Sequence, residues 1–143
     1  MIPRFNVSRF VAALAACSLL AVSVHAQDDS SKPRVFEGFD GTHCETTKAE
    51  LDLIAERAGQ EGLIIIIARS GTKELSRSIN WRRLHNLSEY LEMTHAIPAE
   101  RIITAEGNRV RGLGLVEIYI RGKLFTVFKV NRNRDLARGC STA

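Results

Sequence analysis

Gly62-Leu63-Ile64-Ile65-Ile66-Ile67-Ala68 opens the stretch on which the fold turns, residues 62–91. A polar connector follows, Arg69-Ser70-Gly71-Thr72-Lys73-Glu74-Leu75-Ser76-Arg77-Ser78, and then Ile79-Asn80-Trp81-Arg82-Arg83-Leu84-His85-Asn86-Leu87-Ser88-Glu89-Tyr90-Leu91. Four consecutive isoleucines are β-branched and stiff, which favours an extended chain. No polar residue alternates with them, which predicts a strand buried on both faces. Leu84, Leu87 and Leu91 recur at three and four residues and lay an apolar stripe along one side of a helix. A strand feeding a helix that packs back on the sheet is the core of the predicted domain.

Working outward, Thr47-Lys48-Ala49-Glu50 has the form of a capping box, in which the Thr hydroxyl and the Glu side chain satisfy the first amides of a helix. Leu51, Ile54, Ala55 and Ala58 mark its apolar face, and Gly59 is a natural stop. Before it, residues 34–39 form a candidate first strand. After the second helix, Ile97-Pro98 predicts a stop, because proline disfavours helical geometry in the residue before it. Residues 101–105, 113–120 and 123–130 read as three more strands, the last two joined as a hairpin through Arg121-Gly122. The order βαβαβ followed by a hairpin predicts an α+β two-layer sandwich of the βαβαββ type, with two helices on one mixed sheet.

At 143 residues the chain has room for one domain. Its first 26 residues differ from the rest. Arg4 and Arg9 precede an apolar run over 10–24, and Val24-His25-Ala26 ends in the small residues that signal peptidase reads. That pattern predicts a secretory leader, too short and too poorly flanked for a membrane span. Leu14-Ala15-Ala16-Cys17 is a competing signal, a lipobox in which Cys17 would be lipidated. The apolar residues after Cys17 favour cleavage behind Ala26 instead. The predicted organisation is therefore a leader at 1–26, a flexible segment with the first strand at 27–43, the folded domain at 44–130 and a polar basic tail at 131–143. The expected location is periplasmic or secreted.

Removing the leader leaves 18 basic against 16 acidic residues, a net charge of +2. From Arg109 onward basic residues dominate, and this reads as a solvated face or as a surface for an anionic polymer. Two cysteines remain beyond the leader, Cys44 and Cys140. An exported chain permits them to form a disulfide that ties the start of the domain to its end. His43, His85 and His95 lack metal-ligand spacing, Ser70-Gly71 lacks the glycine flanks of a nucleophile elbow, and Gly107, Gly112 and Gly114 make no phosphate-cradling motif. Trp81 and Tyr90 read as packing groups. No cofactor and no enzymatic activity are predicted.

The central stretch resembles the OmpA-like C-terminal domain, a peptidoglycan-binding module of Gram-negative envelopes. That family reads approximately T-D-x-x-G, four residues, N-x-x-L-S-x-x-R-A-x-x-V-x-x-Y-L, then G-I-x-x-x-R-I. Ile67-Ala68-Arg69-Ser70-Gly71 takes the first part, Ser76 the Asn position, and Ile79-Asn80-Trp81-Arg82-Arg83-Leu84 the L-S-x-x-R-A segment. Leu87, Tyr90-Leu91 and Ala96-Ile97-Pro98-Ala99-Glu100-Arg101-Ile102 stay in register without a gap.

The resemblance implies a non-enzymatic envelope protein whose partner is peptidoglycan or an envelope protein; nucleic acid is not among the expected partners, and oligomeric state is left open. It places Arg83, Gly71, Ser76 and Asn80 at a ligand site. There the family uses an Asp and an Arg for the charged ends of diaminopimelate, a carboxylate for the ammonium and a guanidinium for the carboxylate. Arg83 keeps its half. Ala68 stands where the Asp should be, and Glu74 in the adjacent loop is a candidate replacement. The alternative is a scaffold for protein–protein interaction that has lost peptidoglycan.

Overall fold

In the computed structural model of this chain, residues 32–37, 44–74 and 78–130 are described. They form β1 (Arg34–Glu37), α1 (Cys44–Ala58), β2 (Ile64–Arg69), α2 (Ile79–His95), a short 3-10 helix (Ala99–Arg101), β3 (Ile102–Glu106), β4 (Leu115–Ile120) and β5 (Lys123–Lys129). The five strands make one sheet in the order β1-β5-β4-β2-β3. β4 pairs antiparallel with both β2 and β5, while β1 runs parallel to β5 and β3 parallel to β2. With two helices packed on that mixed sheet, the fold is the α+β two-layer arrangement that the element order predicts. β1 is part of the sheet, so the folded unit begins before residue 44.

The core lies between the helices and one sheet face. Ile64, Ile66 and Ala68 of β2 stand in register with Ile120, Ile118 and Val116 of β4, and all six are buried. Phe128 on β5 extends the row, and Leu51, Ile54 and Ala58 of α1 close it from above together with Leu84, Leu87 and Leu91 of α2. Each aliphatic side chain buried this fully contributes about 1.5–3 kcal/mol.

The isoleucine run departs from expectation. Ile65 and Ile67 are only partly buried, because among the described residues no helix covers their face of the sheet. A continuous apolar run therefore does not mean two covered faces here. On that open face Arg69 Nε donates to Glu117 Oε2 at 3.1 Å, within a surround of Ile65, Ile67, Leu115 and Val127.

Two local signals, the capping box and Trp81, resolve differently from their sequence reading, while the stop of the second helix resolves as read. The capping box does not form: α1 begins at Cys44, so Thr47 and Glu50 sit inside the helix and are buried. Glu50 is held instead by Arg34 of β1 at 3.1 Å. Burial pushes its carboxyl above the usual carboxylate range, against the pull of Arg34 and a Thr126 hydrogen bond. The second helix stops before Ile97-Pro98, because Ala96 adopts φ 51° and the Ile97 amide reaches back to the Leu91 carbonyl at 3.3 Å. Trp81 is 59% exposed rather than packed, and its ring stacks on His85 with centroids 5.1 Å apart. The Arg121-Gly122 turn does form as expected, with φ of 52° and 78°, the positive values that a two-residue hairpin turn with type I′ geometry requires.

Candidate functional site

The parallel strands β1, β2, β3 and β5 all end at one edge of the sheet, and the loops that carry the singled-out residues gather there. The segment after β2 and the segment between β3 and β4 are laced together along their backbones. The Thr72 amide donates to the Val110 carbonyl, the Lys73 amide to Gly112, and the Val110 amide to Ser70, each at 2.9–3.0 Å. The Thr72 hydroxyl accepts from the Gly112 amide at 3.1 Å. Arg109 adds a side-chain clamp, one guanidinium nitrogen reaching the carbonyls of Gly71 at 3.1 Å and Glu74 at 3.0 Å. The two loops thus behave as one rigid lid over the start of α2.

Glu74 points beneath that lid at Arg83. Arg83 Nη1 donates to Glu74 Oε2 at 3.1 Å, and Nη2 donates to Oε1. The side chains are 2% and 0% exposed, so both charges are withdrawn from water. The Gly71 amide donates to Glu74 Oε2 at 2.7 Å, and the Gly114 amide also bonds the carboxylate. Burial alone would raise the Glu74 carboxyl. The Arg83 hydrogen bonds, the Gly71 amide, the guanidinium charge and the Gly114 amide outweigh it and hold the group below the usual range.

Two glycines make room for this pair. A Cβ on Gly114 would stand 2.4 Å from the Arg69 carbonyl, 2.5 Å from Arg83 Nη1 and 2.6 Å from Glu74 Oε2. One on Gly71 would stand 2.2 Å from the Gly112 carbonyl. Gly114 and Arg109 are the site residues that sequence reasoning missed. Their only signal is the closely spaced run Gly112-Leu113-Gly114, which is meaningful once β2 and β4 are known to be neighbours.

Of the four predicted ligand-site residues, Arg83 and Gly71 converge on one carboxylate. Asn80, one turn before Arg83, is buried and donates to Glu106 Oε2 at 3.2 Å, so it serves a neighbouring contact. Ser76 lies outside the described residues, as do His43 and Cys140. Cys44 opens α1; its disulfide with Cys140 stands as a proposal. Ala68 is fully buried in the core, so β2 offers no carboxylate for an ammonium group.

A second polar cluster ties the helices together at the opposite end of the sheet. Asp52 of α1 accepts from the Tyr90 hydroxyl at 2.9 Å and lies 2.7 Å from His95 Nε2. The His95 contact, outweighing partial burial and aided by Tyr90, holds the Asp52 carboxyl low, whereas burial and Asp52 push the Tyr90 hydroxyl up to about 12. Beside it opens a cavity of about 510 Å³ bounded by Glu56, Ile97 and Arg101. Arg101 is committed to the carbonyls of Gly59 and Gly62, both at 2.7 Å. Among the described residues no group of three or more His, Cys, Asp or Glu is placed to hold a metal ion, and no helix is long and apolar enough to cross a membrane.

The chain matches no protein-family model and no curated protein.

Proposed function

We propose that this chain is a non-enzymatic interaction domain of the bacterial cell envelope, an OmpA-like scaffold that has given up peptidoglycan and engages a protein instead. One observation carries the reading: the arginine that would take the carboxylate of diaminopimelate already holds a carboxylate, Glu74 of its own chain, with both oxygens engaged and both side chains out of solvent. A ligand carboxylate would have to displace a buried, doubly hydrogen-bonded internal one. Leaving such a group unpaired costs about 3–5 kcal/mol, enough to cancel most of a small ligand's affinity. Glu74 is therefore a built-in substitute for the ligand rather than a replacement for the missing Asp. The leader pattern at residues 1–26 supports an exported location.

The test is co-sedimentation with purified insoluble peptidoglycan. The protein should stay in the supernatant, and free diaminopimelate should leave its Tm unchanged. Sedimentation that free diaminopimelate competes away would overturn the reading, since it would place the ligand on Arg83 after all.

A further inference from the structure

The two edges of the sheet are treated differently. β1 is preceded by Pro33, carries Arg34 and Glu37, and is tied to α1 through Arg34 and Glu50. Proline and charge are the usual protections of an edge strand. β3 has charge only at its ends, Arg101 before it and Glu106 last, and no proline beside it: it reads Ile102-Ile103-Thr104-Ala105-Glu106, pairs among the described residues with β2 alone, and is exposed on both faces from Ile103 to Glu106. Ile103 is 46% exposed.

The backbone of β3 faces outward in a definite register. The Gly107 amide donates to the Ala68 carbonyl of β2 at 2.9 Å. Successive residues of a strand point their backbone groups to opposite sides, so Ile103 and Ala105 also address β2. Thr104 and Glu106 then turn both N–H and C=O away from β2, whereas Ile102 turns only its C=O that way, its N–H being given to the Ala99 carbonyl.

That pattern is self-complementary. An antiparallel copy set about Thr104 would pair Thr104 with Thr104, and Ile102 with Glu106 twice. The Thr104 pair makes both bonds, and each Ile102–Glu106 pair makes the one from the Glu106 N–H to the Ile102 C=O, four in all. Ile103 would lie opposite Ala105 and continue the half-open apolar row of Ile65 and Ile67. The two Glu106 carboxylates would stand four residues apart, roughly 13 Å, so no like charges meet.

The helix layer fits the same operation. α2 lies over β2 and β3, with α1 beside it over β4. Tyr90 reaches α1 through Asp52, and Trp81 stands nine residues away, about 180° round the helix, on the flank turned from α1 toward the β3 edge. With strands about 4.8 Å apart, two helices each centred between β2 and β3 would run about 10 Å apart across the axis, a normal helix-packing distance. The exposed Trp81 would be covered at that seam.

We propose that two copies of this chain associate through antiparallel β3–β3 pairing about a two-fold axis at Thr104, making one ten-stranded sheet with the Trp81 flanks of α2 in contact above it. The experiment is light scattering behind size exclusion on the protein expressed from its full coding chain, over a range of concentrations. Beside it stand Thr104→Pro, Ile103→Lys, Trp81→Ser and, on the other edge, Val35→Lys. The parent and Val35→Lys should show twice the chain mass. Thr104→Pro removes an outward amide and leaves the β2 ladder, so it should give the single mass with the parent's far-ultraviolet dichroism, as should Ile103→Lys. Trp81→Ser should weaken the dimer at least tenfold. Should Thr104→Pro fail to fold, Ile103→Lys decides alone, because its side chain already meets solvent. A parent that stays at the single mass throughout, a dimer that survives Ile103→Lys, or one that Val35→Lys breaks would each overturn the proposal.

Discussion

Arg83 and Glu74 neutralise one another inside the protein, nine residues apart in sequence and joined by two hydrogen bonds that solvent does not reach. Removing one partner strands the other charge in a dry site. Glu74→Ala is therefore expected to cost about 3–5 kcal/mol in urea unfolding. The double change Glu74→Leu with Arg83→Met should cost much less, because it removes both charges and keeps apolar volume. Equal losses in the single and double variants would show that packing, not charge pairing, carries the site.

If Glu74 substitutes for a ligand, a small carboxylate should substitute for Glu74. Acetate or formate is expected to raise the Tm of Glu74→Ala by more than chloride at the same ionic strength, and to leave the parent unmoved. A rise of equal size in the parent would mark a general salt effect rather than occupancy of the vacated position.

The same pair sets a pH dependence. The Glu74 carboxyl is held below its ordinary value, so its contribution is fully present above the unfolded-chain range, near 4.3, and is lost as pH falls through the lower folded value. Asp52 shifts in the same direction, with Glu50, pushed up by burial, contributing in the opposite sense. The parent should lose stability on acidification below about pH 4, and Glu74→Gln should lose less over that interval. Parallel acid profiles would remove Glu74 as the cause.

The order and type of the elements were legible because each has a short-range cause: the β-branched run at 64–67, the leucine stripe at 84, 87 and 91, the φ-positive turn at Arg121-Gly122. The fate of Glu74 was not. Whether that carboxylate turns inward depends on amides from Gly71 and Gly114, and on a loop locked to another loop some forty residues away. Thr47 misled for a related reason. Its capping pattern is a local preference, whereas the helix extends a turn further and buries Thr47 under tertiary packing. Trp81 misled because an aromatic residue on a core helix is usually inside, and here it falls on the flank opposite the helix neighbour.

Room for the ion pair is a backbone property, which separates two nearby glycines. Gly114→Ala puts a methyl group against the Arg69 carbonyl and both members of the pair, and is expected to cost at least about 1–3 kcal/mol. Gly112 has φ of 84° and open space around its missing Cβ, so Gly112→Ala meets only the left-handed strain, about 1–2 kcal/mol. Urea midpoints should rank the variants in that order. Only Gly114→Ala should also flatten the acid profile, because it alone disturbs the carboxylate.

The Cys44–Cys140 disulfide remains an expectation of the sequence. β1 and β5 run parallel, with Glu37 beside Lys129 at their ends, and both leave the sheet at the edge where the two loops meet. Cys44 lies seven residues beyond Glu37 and Cys140 eleven beyond Lys129 in the sequence. A Cys44–Cys140 bond would close a loop of nearly a hundred residues, which in the chain-entropy picture is worth about 4–5 kcal/mol as an upper figure. Peptide mapping without reductant should recover the Cys44 and Cys140 peptides as one linked species that separates on reduction. Reduction should lower the urea midpoint, and Cys44→Ser should match the reduced parent. Recovery of both cysteines as free thiols from protein made in an oxidising compartment would refute the bond.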